Sequence, residues 1–248
     1  MGFSLPNDQE IFTYSEFVQH FDLGKVNIGG PIFDLQKLIW LNGEYIRRLP
    51  DADLERRLVD YVRRLMGRER EFADLPEDQL PQDDFLKAFE PKRRRWSRTL
   101  AQLAPQIMTS YEVNAKLLLP IIPLVKERMH TLCEAADYIP MFFNGDFEYR
   151  REDFAPKKQT PEGAKAALQA ARELLAGEDF ADQGILARLD GAFRQKAEAL
   201  GQKIGPFLGP LRVAVTGSTV SPPLVESMRV LGKDETLRRV DRALRFLG

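Results

Sequence analysis

The spacing of the apolar residues is the most constraining feature of this 248-residue sequence, because they recur every three or four positions over most of the chain. Such spacing places apolar side chains along one face of an α-helix. The alternation of apolar and polar residues that is typical of strands is nearly absent, and residues 213–215 are its one brief exception. The sequence therefore predicts an all-α fold.

Capping residues and prolines mark where several helices begin and end. Asp34 is a predicted N-cap of a helix that stops at Pro50. A second helix is expected from Asp53 onward, with one apolar stripe formed by Leu54, Leu58, Val62 and either Leu65 or Met66. Thr160 followed by Pro161 predicts the start of a helix that runs to residue 177. Prolines at positions 91, 105, 120 and 123 are expected to end or kink the helical segments that follow residue 85.

The remaining segments are expected to be shorter. Residues 123–143 are interpreted as a helix or a helix pair, and residues 150–160 as a linker. The last 70 residues are predicted to form short helices separated by glycines at positions 191, 201, 209, 217 and 232. The pattern favours two or three helical units, with breaks near residues 50 and 150.

Composition limits the chemistry that the chain can perform. The formal net charge is −1, so no strong overall field attracts nucleic acid or a membrane. A single cysteine excludes an internal disulfide and fits the cytoplasm, and two histidines leave little material for a metal site or for acid–base catalysis. Residues 24–30 lack the spacing of a phosphate-binding loop, and no Gly-x-Ser-x-Gly motif occurs. Local chemistry favours a binding or scaffolding protein with no cofactor and no membrane span.

Three basic segments are candidates for binding an anionic partner. They are residues 92–98 around Trp96, residues 126–130, and the C-terminal helix with Arg238, Arg239, Arg242 and Arg245. Such clusters can contact phosphates. The alternative is a solvated helix face whose tryptophan points into the core, and the charge pattern alone leaves both interpretations open.

Three strings of the sequence resemble the C-terminal half of bacterial-type glutamyl-tRNA synthetases. They are MGFSLP with EIF at residues 1–12, GGPIFDLQKL with WLNGEYIR at 29–47, and PLRVAVTG, SPPL and VLG at 210–232. Their order and spacing also agree with that family. The resemblance implies a stem-contact region at residues 1–50, a first helical anticodon-binding domain at 51–150 and a second at 151–248.

The catalytic half of that family has no counterpart in this sequence. Its His-Ile-Gly-His-type and Lys-Met-Ser-Lys-Ser-type motifs, which bind and activate ATP, are both missing. The full-length family uses ATP and magnesium, whereas this chain is expected to use no cofactor and to ligate nothing on its own. The implied partner is glutamate-specific tRNA, with neither DNA nor a membrane, and the implied state is a monomer.

The resemblance also implies which residues read the anticodon. The string LVKERMHTL at residues 124–132 places Arg128 at the third anticodon base, where a guanidinium offers paired donors that lysine cannot reproduce. Arg212, Ser221, Pro222 and Leu224 match the segment that meets the first two bases. An alternative from the residues alone is that Ser221 caps a helix that runs to Leu231.

A second hypothesis is an all-helical protein–protein scaffold that has lost RNA binding. A tRNA-binding module would gather Arg128, Arg212 and other cations on one side, whereas a scaffold would scatter them or expose an apolar patch.

Overall fold

A computed structural model describes residues 5–6, 9–26, 29, 34–113, 118–155, 159–182 and 184–248. Every regular secondary-structure element within these residues is an α-helix or a 3-10 helix, which confirms the predicted all-α class. Parts of the strings matched above, residues 1–4 and 30–33, lie outside them.

Twelve α-helices follow one another in the described part of the chain. In order, α1 to α12 are Tyr14–His20, Leu35–Arg48, Asp51–Leu65, Asp84–Val113, Ile122–Lys126, Pro140–Phe143, Arg151–Phe154, Pro161–Gly177, Ile185–Ala199, Ile204–Thr216, Leu224–Leu231 and Lys233–Leu247. Short 3-10 helices, among them Leu132–Asp137, lie between some of them.

The predicted caps of two helices are confirmed. The side chain of Asp34 accepts a hydrogen bond from the backbone of Lys37 at the start of α2. The hydroxyl of Thr160 accepts one from Gly163 at the start of α8, and Pro161 occupies the first turn. Each cap satisfies an amide that has no partner within its own helix.

One hydrophobic cluster packs α3 against α4 and draws in α5, α6 and the 3-10 helix at Leu132–Asp137. The stripe predicted for α3 is confirmed at Leu54, Leu58 and Val62, which are all fully buried. Leu65 completes the stripe, whereas Met66 is 49% exposed.

A second hydrophobic cluster is formed by α7 to α12. Helix α8 presents Ala164, Ala167 and Ala171 to it, and these small side chains allow α10 and α12 to approach closely. Leu231, at the end of α11, packs against both clusters.

The prolines of α4 do not end it, which contradicts the first of the two predicted alternatives, an end or a kink. The helix is continuous from Asp84 to Val113 with Pro91 and Pro105 inside. Both rings lie on its exposed side, while its buried residues pack on α3. Tertiary packing therefore outweighs the backbone hydrogen bond that each proline removes.

The helix pair, one of the two alternatives predicted for residues 123–143, is confirmed as α5 and α6, although a 3-10 helix lies between them. Other predicted boundaries were wrong. Gly191 and Gly209 lie inside α9 and α10 instead of separating helices. The predicted linker contains α7, whose Phe154 is 1% exposed within the second cluster.

Candidate nucleic-acid interface

Arg128 is presented on a turn that follows α5. Helix α5 has Pro123 in its first turn and buries Ile122 and Val125. The backbone N–H of Arg128 donates to the carbonyl of Val125 at 2.9 Å, and Met129 is fully buried. The Arg128 side chain is exposed, and it makes no hydrogen bond or ion pair with any other described residue.

Neighbouring contacts fix this turn on both sides of Arg128. On one side, Lys126 donates to the carbonyl of Leu49 and to Asp51 Oδ1, the latter at 3.0 Å. On the other side, the Asn42 amide donates to the backbone carbonyl of His130. The turn is therefore anchored to α2 and to the start of α3.

Gly43 of α2 is required for this anchoring. A Cβ atom at this position would lie 2.8 Å from the ring of His130 and 3.3 Å from its Cα. Glycine therefore lets α2 pass close to the turn that carries Arg128.

Arg212 lies on α10, half-buried, with a hydroxyl as its partner. Its Nη1 atom donates to Ser221 Oγ at 2.6 Å, and it forms no ion pair with a carboxylate among the described residues. Burial is the main cause that lowers the pKa of Arg212, and the positive charge of Arg128 lowers it further. The two arginines are thus close enough to repel each other.

The turn between α10 and α11 holds Ser221 in this position. Gly217 ends α10 with φ of 71°, a left-handed conformation that favours glycine. A Cβ atom on Gly217 would lie 2.5 Å from the ring of Phe147. The Thr216 hydroxyl donates to the carbonyls of Arg212 and Ser218 at 2.8 and 3.1 Å.

The other predicted site residues of this turn are largely buried. Ser221 Oγ donates to the carbonyl of Pro222 at 2.8 Å while it accepts from Arg212. Ser221 is 3% and Leu224 6% exposed, and Leu224 packs in the second cluster. Residues 218–220, by contrast, are exposed at the tip.

The interpretation of Ser221 as a helix cap was wrong. Helix α11 begins at Leu224, with Pro223 in the cap position and no side-chain cap. The hydroxyl of Ser221 is instead occupied by Arg212 and Pro222. The predicted end of this helix at Leu231 is confirmed.

The basic segment at residues 92–98 is largely neutralised by nearby carboxylates. Arg93 and Arg94 bind Glu90, and hydrogen bonding from Arg93 is the main cause that lowers the pKa of this carboxyl group. Arg95 pairs with Asp137 and Arg98 with Asp74. Trp96 is 8% exposed and belongs to the first cluster. The structure therefore favours the solvated helix face for this segment.

The arginines of α12 bind the segment that joins the two clusters. Arg242 donates to the carbonyl of Gly145 at 2.6 Å and to that of Phe147. Arg239 is 2% exposed and donates to Glu235 Oε1 at 2.6 Å and to the carbonyl of Val215 at 2.7 Å. Arg239 and Arg242 therefore stabilise the fold, whereas Arg245 of the same helix is exposed.

Sequence reasoning missed the residues that position the site. The anchors Lys126 and Asn42 carry no signal in the sequence, because their partners are distant along the chain. Gly217 was identified only as a helix breaker, although its φ and its contact with Phe147 fix the turn.

The described residues contain neither a candidate metal site nor a candidate membrane span. Among the described residues, no group of three or more His, Cys, Asp or Glu side chains is placed to hold a metal ion. None of the helices in the described ranges is long and apolar enough to cross a membrane.

Known proteins are similar to this chain along its whole length. A family model described as an anticodon-binding domain matches residues 83–244. The glutamate–tRNA ligase of Acidothermus cellulolyticus is 35% identical over 98% of the chain, and that of Treponema denticola is 30% identical over 98%. These matches span 40% and 44% of the two relatives, so the chain covers less than half of their length.

A solved structure shows the same fold. The crystal structure of a glutamate tRNA ligase from Elizabethkingia meningosepticum matches with a TM-score of 0.61 and 22% identity, over 100% of this chain and 39% of that one.

The fold and the two arginines without carboxylate partners define a helical module that is suited to binding an anion. The chain belongs to the anticodon-binding domain family, and it is similar to part of the two glutamate–tRNA ligases.

Proposed function

We propose that this chain binds tRNA and reads the anticodon of glutamate tRNA. The observation that carries the proposal is that the exposed Arg128 and the half-buried Arg212 have no carboxylate partner among the described residues, while the charge of Arg128 lowers the pKa of Arg212. Arg95 and Arg242, by contrast, bind Asp137 and the backbone carbonyl of Gly145. Two close cations without a counterion suit the phosphates and base edges of RNA.

Each side chain has a distinct part in this proposal. Arg128, exposed on an anchored turn, contacts the third anticodon base through its paired donors. Arg212 contacts a phosphate or one of the first two bases. Ser221, Pro222 and Leu224 meet those bases through the backbone and shape of their turn, since unpaired loop bases are usually read after they splay outward.

We also propose that the chain has no ligase activity by itself. The ATP-binding motifs of the catalytic half that the resemblance implies are missing from the sequence. The chain would then recognise the tRNA, and the ligase activity would reside in another polypeptide segment.

A binding titration at two salt concentrations tests the proposed function. It compares glutamate tRNA, the same tRNA with a changed third anticodon base, and an unrelated tRNA. Salt-dependent binding that prefers the intact anticodon is the expected result. Equal binding to all three tRNAs would contradict anticodon recognition by this chain. Absence of binding by a folded sample would favour the protein–protein scaffold.

Substitution of Arg128 tests its assigned role. Arg128→Ala should reduce the preference for the correct third base by about 1–3 kcal/mol, because the paired donors are lost. The matched control is Arg57→Ala on α3, another exposed arginine with no hydrogen bond or ion pair to a described residue. An equal loss of affinity for all three tRNAs on Arg128→Ala would contradict base reading by this residue.

A further inference from the structure

A groove lies between α5 and α11, next to the turn that carries Arg128. Its volume is about 290 Å³. It is lined by Pro120, Pro123, Leu124, Glu226, Arg229 and Val230. This size is at the small end of the range for ligand sites, and it suits one flat ring better than a folded element.

The walls of the groove are mainly apolar. Two proline rings and Leu124 form one side, and Val230 contributes to the other. Leu124 precedes Arg128 by only four residues along the chain, so the groove lies close to the proposed anticodon site. Glu226, Arg229 and Val230 share one face of α11, since they are three and four residues apart.

Two cations beside the groove have no partner among the described residues. Arg229 is exposed and forms no ion pair there, although Glu226 is only three residues away on the same helix. Arg128 is the second such cation. A partner that combines a flat apolar ring with a phosphate on either side complements this arrangement, and a nucleotide of an RNA chain has that chemistry.

We propose that the groove holds one unpaired nucleobase of the bound RNA, adjacent to the bases assigned to Arg128 and Arg212. The base packs between the proline and Leu124 side and Val230. Arg229 contacts the phosphate of this nucleotide, and Glu226 accepts a hydrogen bond from an exocyclic amino group. This inference rests on the proposed function and adds a subsite to it.

Groove variants of the full chain test the subsite with a glutamate tRNA transcript. Leu124→Trp fills the groove, Arg229→Ala removes the phosphate contact, and Arg57→Ala is the control for loss of an exposed charge. We expect the first two to weaken binding by about fivefold or more and the control to leave it unchanged. Circular dichroism and thermal unfolding verify that each variant is folded, and Arg229→Ala keeps the test valid if Leu124→Trp does not fold, because Arg229 is exposed.

A series of transcripts, each with one abasic loop position outside the anticodon, identifies the bound base. One abasic position should weaken wild-type binding as much as Leu124→Trp does, and the two changes together should cause no further loss. Wild-type-like binding by folded Arg229→Ala and Leu124→Trp would overturn the subsite alone. Failure of the wild-type chain to bind the transcript at all would overturn the proposed function together with the subsite.

Discussion

A single residue type, arginine, serves two purposes in this protein. Arg239 is buried between Glu235 and a backbone carbonyl, and burial is the main cause that lowers its pKa. Arg128 and Arg212 have no such acid among the described residues. The neighbours in space decide whether an arginine stabilises the fold or remains available to a partner.

Glu235 lets the stabilising role be tested by pH. Hydrogen bonding from Arg238 is the main cause that lowers the pKa of Glu235 from 4.5 to about 2. A lowered folded-state pKa contributes stability that is present above pH 4.5 and is lost as the pH falls toward 2. The side chain is 30% exposed. Screening by solvent therefore reduces the contribution to about 1–2 kcal/mol.

We expect Glu235→Gln to lower the free energy of unfolding at pH 7 by that amount and to matter less near pH 3. Urea denaturation at both pH values measures the difference between wild type and variant. Glu198→Gln, at an exposed position of α9 without an ion pair to a described residue, is the control. A difference that stays constant between the two pH values would contradict the assignment to the Glu235 carboxylate.

At the scale of elements, α4 shows how packing overrides local signals. Its prolines at 91 and 105 predict helix ends or kinks, yet α4 is a single helix of 30 residues whose buried face packs on α3. The cost of each proline remains as a lost backbone hydrogen bond and a steric clash with the preceding turn.

Replacing Pro91 should therefore stabilise the protein. Pro91→Ala restores an amide that can donate to the carbonyl of residue 87, and we expect the free energy of unfolding to rise by about 2 kcal/mol after the added entropy of the unfolded chain is counted. Urea denaturation measures it, with Gln102→Ala on the exposed side of α4 as control. A destabilised Pro91→Ala would show instead that a bend at this proline is needed for packing.

Local signals were sufficient where one helix is decided by its own residues. The caps Asp34 and Thr160 and the stripe of α3 were predicted correctly, because a cap and a period are visible within a few residues. The 3-10 helix between α5 and α6 was not predicted, because the short helices of this region depend on the cluster into which Ile122, Val125 and Ile139 pack. The candidate site shares this limit: resemblance named Arg128 and Arg212, and only the fold reveals their neighbours.

At the scale of the whole molecule, the candidate site lies where the two hydrophobic clusters meet. Arg128 follows α5 of the first cluster, and Arg212 belongs to α10 of the second. Arginines of α12 hold the joining segment, and Phe147 of that segment packs on Gly217 beside the Ser221 turn. Contacts between the clusters thus set the separation of the two cations that the proposed function requires. The domain bounds at residues 50 and 150 remain predictions.

The salt dependence of tRNA binding distinguishes arginines that contact phosphates from arginines that are already paired with carboxylates. Each arginine that contacts a phosphate releases counterions, so its removal should reduce the slope of log affinity against log salt by about 1. We expect Arg212→Gln to produce that reduction if its contact is a phosphate. Arg95→Gln should leave the slope unchanged, since Arg95 already pairs with Asp137. Titrations of each variant over a series of salt concentrations give the slopes. A reduced slope for Arg95→Gln would place the 92–98 segment in the RNA interface. Its internal ion pairs would then be exchanged for contacts with phosphates on binding.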